Sequence, residues 1–514
     1  MPQTASEPAV EDRFARLREI VAQVSDLRRT AEILSWDQET YMPPGGAEAR
    51  AKQISTIRRL AHERFTTDEL GTLLDDLSDP ASEMDPQSVE ASMVRVLRRD
   101  YDKATRLPNE LVGRMAEAVS RGKQAWKKAR EMNRFETFAP HLERIVDLNV
   151  EKAEAYGYDD RIYDALLDDY EPGMKTSLVE KIFSDLRKEL VPIVEAIADA
   201  EPVNESPVHQ HFDKELQWQF GLDVARDFGY DLDRGRQDLS AHPFTTTFAI
   251  SDVRVTTRVS EHFLNPALFG TLHEAGHALY EQGVDPSLAR TLLDEGTSLG
   301  MHESQSRLWE NLVGRSRPFW ERYYTHLRDL FPEQLGSVTQ DAFYGAVNKV
   351  QPGLIRVEAD EVTYNLHIML RFEIENALLE GRVATADLPD LWNEKMDDYL
   401  GVVPDTDANG VLQDIHWSLG AIGYFPTYAL GNLMSTQIFE AAGRDLGDMD
   451  ALIRDGRFGE LLDWLRKHIH RHGRKMKALD LLERATGSGL SAKSWLAYVR
   501  EKYGRIYPEL ARRA

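Results

Sequence analysis

Asn265 to Gly283 reads NPALFGTLHEAGHALYEQG. Leu268, Leu272, Ala275 and Leu279 recur at three- and four-residue steps, the period of an amphipathic helix. Asn265 is placed to cap that helix, Pro266 suits its first turn, and Gly283 can end it. His273 and His277 stand off the apolar stripe, one turn apart on a shared face, so both imidazoles can reach one ion. Glu274 follows the first histidine and is placed to act as a general base. This helix therefore carries chemistry as well as packing, and it predicts a helical protein built around a metal site.

The reading extends outward in both directions. Just upstream, Thr245–Val259 (TTTFAISDVRVTTRV) is β-branched and alternates with period two, which predicts a hairpin turning at Ser251-Asp252. Asp252, Arg254, Thr256 and Arg258 then share one face, and Val253 and Val255 the other. Such a charged face is either solvated or a strand edge that lines a cleft, where a peptide could add as a further strand. Elsewhere the chain is helical in pattern. Phe14, Leu17, Ile20, Val21, Val24, Leu27, Ala31 and Leu34 form one stripe, broken at Pro43-Pro44-Gly45-Gly46 before a second run to Phe65. Comparable patterns cover about 108–131, 137–156, 175–200, 318–330, 355–380 and 458–472. The breaks, Asp79-Pro80, Glu171-Pro172-Gly173, Glu201-Pro202 and Gln351-Pro352-Gly353, are short. No linker or repeat stands out. The expectation is an all-α, predominantly helical fold with one small hairpin, and a single domain over 1–514.

Composition narrows the function. The chain has 514 residues, a formal net charge of −24 and no cysteine. Disulfides, cysteine-ligated zinc and a cysteine nucleophile are excluded. An acidic chain is a poor nucleic-acid binder. No run of 18 or more apolar residues appears, so no membrane span is expected. Met1–Glu11 (MPQTASEPAVE) has neither a basic nor an apolar leader region, so the expected location is cytoplasmic.

A catalytic zinc needs a third protein ligand and an open position. Glu303, in Met301–Trp309 (MHESQSRLW), lies 26 residues past His277, which leaves room for a loop and a returning helix. Glu281 is nearer, but it continues the histidine row on the same helix, an awkward place for a tetrahedral site. Three other patterns invite bland explanations. Asp405–Gly410 (DTDANG) opens like a calcium loop, but its twelfth position is His416 where Glu is required. His468, His470 and His472 read as cations near a helix C-terminus. Asp360 and Glu361 are adjacent, so on a helix they diverge by about 100° and cannot form a facing pair.

Several motifs in order resemble one family, the Taq-type thermostable metallocarboxypeptidases. They are Trp36–Pro43 (WDQETYMP), His242-Pro243-Phe244, Asp252–Thr256 (DVRVT), HEAGH at 273–277, His302–Gln305 (HESQ), Ile355–Glu361 (IRVEADE) and Gly410–Trp417 (GVLQDIHW). The resemblance implies an almost wholly helical fold with a deep cleft and a small sheet beside it, and a homodimer. It implies His273, His277 and Glu303 as metal ligands and Glu274 as catalytic. It also implies removal of single C-terminal residues from peptides with broad specificity, with zinc, or cobalt in its place, as the metal.

Such an enzyme must stabilise an oxyanion and hold a free carboxylate. His416, Tyr424, Tyr428 and His242 are the candidate donors to the oxyanion. Arginine suits the carboxylate, because its fork matches two oxygens. Arg356, in a segment that reads as helix, is the first candidate and Arg254 the second. The alternatives are a helical metallo-endopeptidase, a dipeptidyl carboxypeptidase, or a non-catalytic metal-bound peptide-binding protein. Glu274 argues against the last, since a structural site needs no base.

Overall fold

A computed structural model describes residues 7–510 of the chain. Residues 1–6, on which much of the leader expectation rests, lie outside the described residues. The fold is predominantly α-helical, with one three-stranded sheet among the described residues. The first stripe is a 34-residue helix, Glu7–Thr40, and the Pro-Gly break leads into Ala47–Phe65. Two further helices, Asp68–Ser82 and Val89–Arg106, lie in a region the sequence patterns leave unread. The first of them carries Pro80 in its last turn, so Asp79-Pro80 is not the break expected there.

Apolar side chains gather in two cores. The larger runs from Trp126 to Tyr507 and includes the stripe of the motif helix. The smaller is made by Phe14, Leu17, Ile20, Val21 and Val24 with Leu70, Leu74, Leu77, Met93 and Leu97, and is closed by Val284, Leu288, Leu292 and Leu293. The segment just after the motif helix therefore anchors the N-terminal helices to the rest of the chain.

The sheet corrects the hairpin reading in two ways. Its strands are β1 (Gln237–Leu239), β2 (Thr245–Ala249) and β3 (Asp252–Thr257), in the order β1-β3-β2. β3 pairs parallel with β1 and antiparallel with β2. The strand with the charged residues is thus central, with no free edge for a peptide. The outer strands are β1 and β2, and on β2 Arg29 Nη1 donates to Thr247 O at 2.9 Å. Alternation places Val253 and Val255 in the core, but Thr256 is buried as well, held by Ser240 and Phe244.

The 355–380 pattern is also cut short. Arg356–Glu358 is a single 3₁₀ turn, and the helix begins at Tyr364. Asp360 causes the delay: its Oδ1 accepts from the amides of Val362 and Thr363, ending one segment and starting the next. The 458–472 pattern stops at His468 and gives way to a 3₁₀ segment. His470 and His472 are buried there, and burial pushes both imidazoles down, His472 to about 4, so neither is a cation at neutral pH. In the calcium-like stretch, Asp407 accepts from the Phe135 amide. Glu361 is taken by Lys502 at 2.7 Å.

Candidate metal centre and active site

The motif helix spans Asn265–Gln282. Leu264, not Asn265, occupies the cap position, and no side chain caps this end. The expected stripe of Leu268, Leu272, Ala275 and Leu279 is buried, with His273 and His277 turned to a half-buried face. Across from it runs the helix Leu299–Arg307, started by Ser298, whose hydroxyl accepts from the Met301 amide. Two glycines leave room for the Glu303 helix, Gly276 on the motif helix and Gly431 on the helix Pro426–Leu446. A Cβ at Gly276 would meet Ser306 Cα at 2.6 Å, and one at Gly431 would meet Glu303 Cβ at 2.6 Å. A side chain at Gly276 would push the Glu303 helix away from the motif helix, and one at Gly431, on the neighbouring helix Pro426–Leu446, would collide with Glu303 itself.

That close approach brings three ligand atoms together. His273 Nε2 and His277 Nε2 lie 3.6 and 3.5 Å from Glu303 Oε2. Three ligands at about 2.0–2.1 Å from a tetrahedral ion would be separated by roughly 3.3–3.4 Å, so the set fits a divalent metal. His273, His277 and Glu303 form the one potential metal-holding group among the described residues. Two nitrogens and one carboxylate oxygen are a donor set for zinc.

Each of these three side chains is oriented by a second residue. Arg307 Nε donates to Glu303 Oε1 at 2.7 Å, which leaves Oε2 toward the histidines. Burial would raise the Glu303 carboxyl, but Arg307 and His273 outweigh it and hold the group well below the usual range. His273 Nδ1 lies 2.9 Å from Glu310 Oε2, and Glu310 is itself gripped by Arg307 and Arg315. Burial pulls the His273 imidazole down, and the two carboxylates reverse that. Glu310 sits in a π-helical stretch, Leu308–Gly314, that continues the Glu303 helix; such widened turns often occur at functional sites.

His277 is supported differently. Its Nδ1 lies 2.6 Å from His302 Nδ1, and His302 Nε2 lies 2.7 Å from Glu281 Oε1. If His277 offers Nε2 to a metal, Nδ1–H donates to His302, whose Nε2–H in turn donates to Glu281. The chain Glu281–His302–His277 therefore fixes both tautomers. His302→Ala is expected to weaken metal binding about 10–100-fold, the usual effect of losing such a support. His302→Asn, which restores an acceptor near the Nδ1 position, should recover part of it; competition with a chelator checks both.

Glu274 is buried beside this cluster. Its Oε2 accepts from Thr245 Oγ1 at 2.7 Å, and the same hydroxyl lies 2.9 Å from the Glu274 carbonyl. Burial raises its carboxyl pKa, more than His273 and Thr245 lower it. Behind the Glu303 helix lies another buried carboxyl, Glu171, which accepts from the Gly300 amide. Burial pushes it up from 4.5 to about 8, against the Ser298 hydroxyl and the Gly300 amide. The folded form thus favours the protonated acid, so this group's contribution is complete below 4.5 and is lost as the pH rises towards about 8. Glu171→Gln is expected to flatten that decline, as the Tm at pH 6 and pH 9 would show.

The structure gathers some of the expected substrate residues and separates others. His416, Tyr424 and Tyr428 are mutual neighbours, with ring centroids 5.3 Å (His416–Tyr424) and 5.4 Å (Tyr424–Tyr428) apart. Burial pushes His416 down to about 4, against the pull of Asp414, and raises both tyrosines, so all three are neutral at neutral pH. Arg356 lies 5.2 Å above the Tyr428 ring. It is buried, with Nε and Nη2 on Asp414 Oδ1 at 3.0 and 2.7 Å and Nη1 on Tyr364 Oη at 3.0 Å. Two of its five N–H donors remain. Arg254 lies apart: its register partner is Thr246, so it points to the sheet face opposite Thr245 and Glu274. There it is closed bidentately by Asp252 and stacked on Trp36 and Phe248. His242 is exposed on the turn before β2.

Glu310, Arg307, His302, Thr245 and Tyr364 escaped the sequence reading as site residues, and Glu281, weighed there only as a ligand, stands behind His302 instead. Arg307 had a signal, since it stands four residues after Glu303 on the same helix. A concavity of about 780 Å³ lies away from this site, between the C-terminal ends of Thr176–Ala198 and Leu388–Leu400.

Comparison with known proteins identifies a family. The profile of the Carboxypeptidase Taq (M32) metallopeptidase family matches residues 16–503. The chain belongs to that family. It is 42 % identical to thermostable carboxypeptidase 1 of Thermus thermophilus over 510 residues, covering 97 % of this chain and 99 % of the relative. It is 37 % identical to carboxypeptidase 1 of Bacillus subtilis, covering 95 % and 97 %. The crystal structure of the M32 carboxypeptidase from Deinococcus radiodurans superposes with a TM-score of 0.94 at 43 % identity, covering 97 % of this chain and all of that one. The enzyme is thus a metallocarboxypeptidase acting on peptides, and its family implies a divalent metal. No helix of the described residues is long and apolar enough to cross a membrane.

Proposed function

We propose that the enzyme is a zinc-dependent carboxypeptidase that releases single C-terminal residues from peptides of broad sequence, with Glu274 as general base. The observation that carries this reading is the convergence of His273 Nε2, His277 Nε2 and Glu303 Oε2 beside the buried carboxyl of Glu274. A zinc ion held by those three atoms would polarise the scissile carbonyl and acidify a water. Glu274, with one oxygen held by Thr245, has the other left to take a proton from the attacking water. Its raised pKa makes it a better base than an exposed carboxylate. The same carboxyl then returns that proton to the departing amine.

Tyr424 and Tyr428 keep their hydroxyl protons and can donate to the oxyanion that forms. His416 is neutral and can donate from one nitrogen. Arg356 would hold the peptide's terminal carboxylate with its two unengaged N–H groups, while Asp414 and Tyr364 fix the guanidinium. Arg356→Lys keeps the charge and loses the fork. It is expected to raise KM for C-terminal trimming about tenfold or more, with metal affinity unchanged; steady-state kinetics and metal titration check this. Arg254 and His242 receive no role in this reading. A homodimer and a cytoplasmic setting belong to the proposal as well, the first checked by sedimentation.

Metal identity is tested by removing metal with a chelator and adding back single ions. Activity restored by zinc or cobalt, and not by magnesium, is expected. Full activity without any metal would overturn the proposal.

A further inference from the structure

Arg28 has an unusual position. It projects from the first helix into a pocket of about 380 Å³, where the N-terminal helices meet the main body. Its guanidinium lies 5.1 Å above the Phe65 ring. Among the described residues, none accepts a hydrogen bond from it or forms an ion pair with it, although the neighbouring Arg29, Arg99 and Arg474 all have partners. Burial depresses its pKa, and Arg474 and Arg29 add repulsion that Glu295 and Asp100 oppose from a distance.

The other cations of the pocket are already placed. Asp100 is shared, with Oδ1 2.9 Å from Arg99 Nη1 and Oδ2 2.9 Å from Arg474 Nη2. Asp168 Oδ2 takes Arg99 Nη2 at 2.7 Å and Lys103 Nζ at 2.9 Å. Glu295 is drawn toward Arg29, at 3.5 Å. The carboxylates of the pocket are thus spoken for by other cations, and the Arg28 fork is left over. An unpaired guanidinium in a half-enclosed pocket lacks a partner that an anion would supply.

We propose that this pocket is an oxyanion site, in which a carboxylate or phosphate group is clamped by Arg28 against Arg99, Lys103 and Arg474. Its position gives the site a consequence. One wall is Glu295–Leu299, the segment that leads into the Glu303 helix, and the other is the N-terminal helices. A bound anion therefore ties those helices to the segment that starts the Glu303 helix. Tyr170 also lines the pocket, and its ring stands 5.1 Å from that of Tyr424. The oxyanion could come from solution or from an acidic side chain of the peptide, and the experiment separates the two.

Inorganic phosphate is titrated into the metal-loaded enzyme, its Arg28→Gln variant and its Arg28→Lys variant, with thermal unfolding as readout. Peptide pairs differing only by Glu or Gln at one position are then compared for kcat/KM. This kinetic arm rests on the peptidase reading; the phosphate arm does not. A rise in Tm with phosphate in the parent and in Arg28→Lys, with at least a tenfold weaker response in Arg28→Gln, supports a site for free oxyanion. A Glu-over-Gln preference that falls at least threefold in Arg28→Gln, with kcat on neutral peptides unchanged, supports the peptide as the source. Equal phosphate responses in all three proteins, together with an unaltered Glu-to-Gln ratio, would overturn the proposal.

Discussion

Replacing Glu274 by Gln is expected to lower kcat by roughly 10²–10⁴-fold, the span attributed to a positioned general base. Gln keeps the shape and can still accept from Thr245, whose hydroxyl holds Oε2 at 2.7 Å. What it loses is the ability to take a proton. Metal content should stay near that of the parent, because none of the three converging ligand atoms belongs to residue 274. The parent's own pH profile should agree. Activity should fall as the pH drops through the pKa of Glu274, since the protonated acid cannot accept. A variant with parental kcat would remove Glu274 from the mechanism.

The second large effect is expected from Glu303→Gln. The substitution removes the one anionic member of the set and turns the ion pair of Arg307 Nε with Oε1, at 2.7 Å, into a neutral hydrogen bond at best. Metal affinity should drop by more than the roughly 10–100-fold expected for a supporting residue such as His302. Arg307 keeps Glu310 as an ion-pair partner at 3.3 Å, so the fold should survive. The expected result is a folded protein by circular dichroism, little metal after dialysis, and activity regained only at high added zinc. Undiminished metal affinity would show that Glu303 is not a ligand.

These expectations show which parts of the site were legible from sequence. The pair His273–His277 and the adjacent Glu274 obey helical spacing, so local reading found them. Glu303 lies beyond a loop whose path no local spacing gives, and Gly276 is what lets its helix approach the motif helix. The residues behind the ligands were hidden for different reasons. Thr245 reaches Glu274 from a strand 29 residues earlier. His302 meets His277 across a helix–helix contact with no local signature. Glu310 lies in a stretch that leaves the 3.6-residue period, so helical counting from Glu303 misplaces it.

The fold followed the same rule. The long stripe from Phe14 to Leu34 was read as helix and lies within Glu7–Thr40. Arg356 was read as helical because apolar and polar residues alternate smoothly through 355–380. The Asp360 cap, a single side chain accepting two amides, places the start of the helix at Tyr364 instead. The hairpin was legible, but its parallel partner Gln237–Leu239 is only three residues long, too short to show a period.

A metal-dependent exopeptidase whose base is Glu274 leaves a distinctive set of products. The most direct measurement is a mass-spectrometric time course on an N-acetylated peptide of mixed sequence. It would use the zinc-loaded enzyme, the same enzyme with a chelator, and the Glu274→Gln variant. The expected result is a ladder that shortens one residue at a time from the C-terminus, seen only with the zinc-loaded parent. Internal cuts, two-residue steps, or an equal ladder from Glu274→Gln would contradict it.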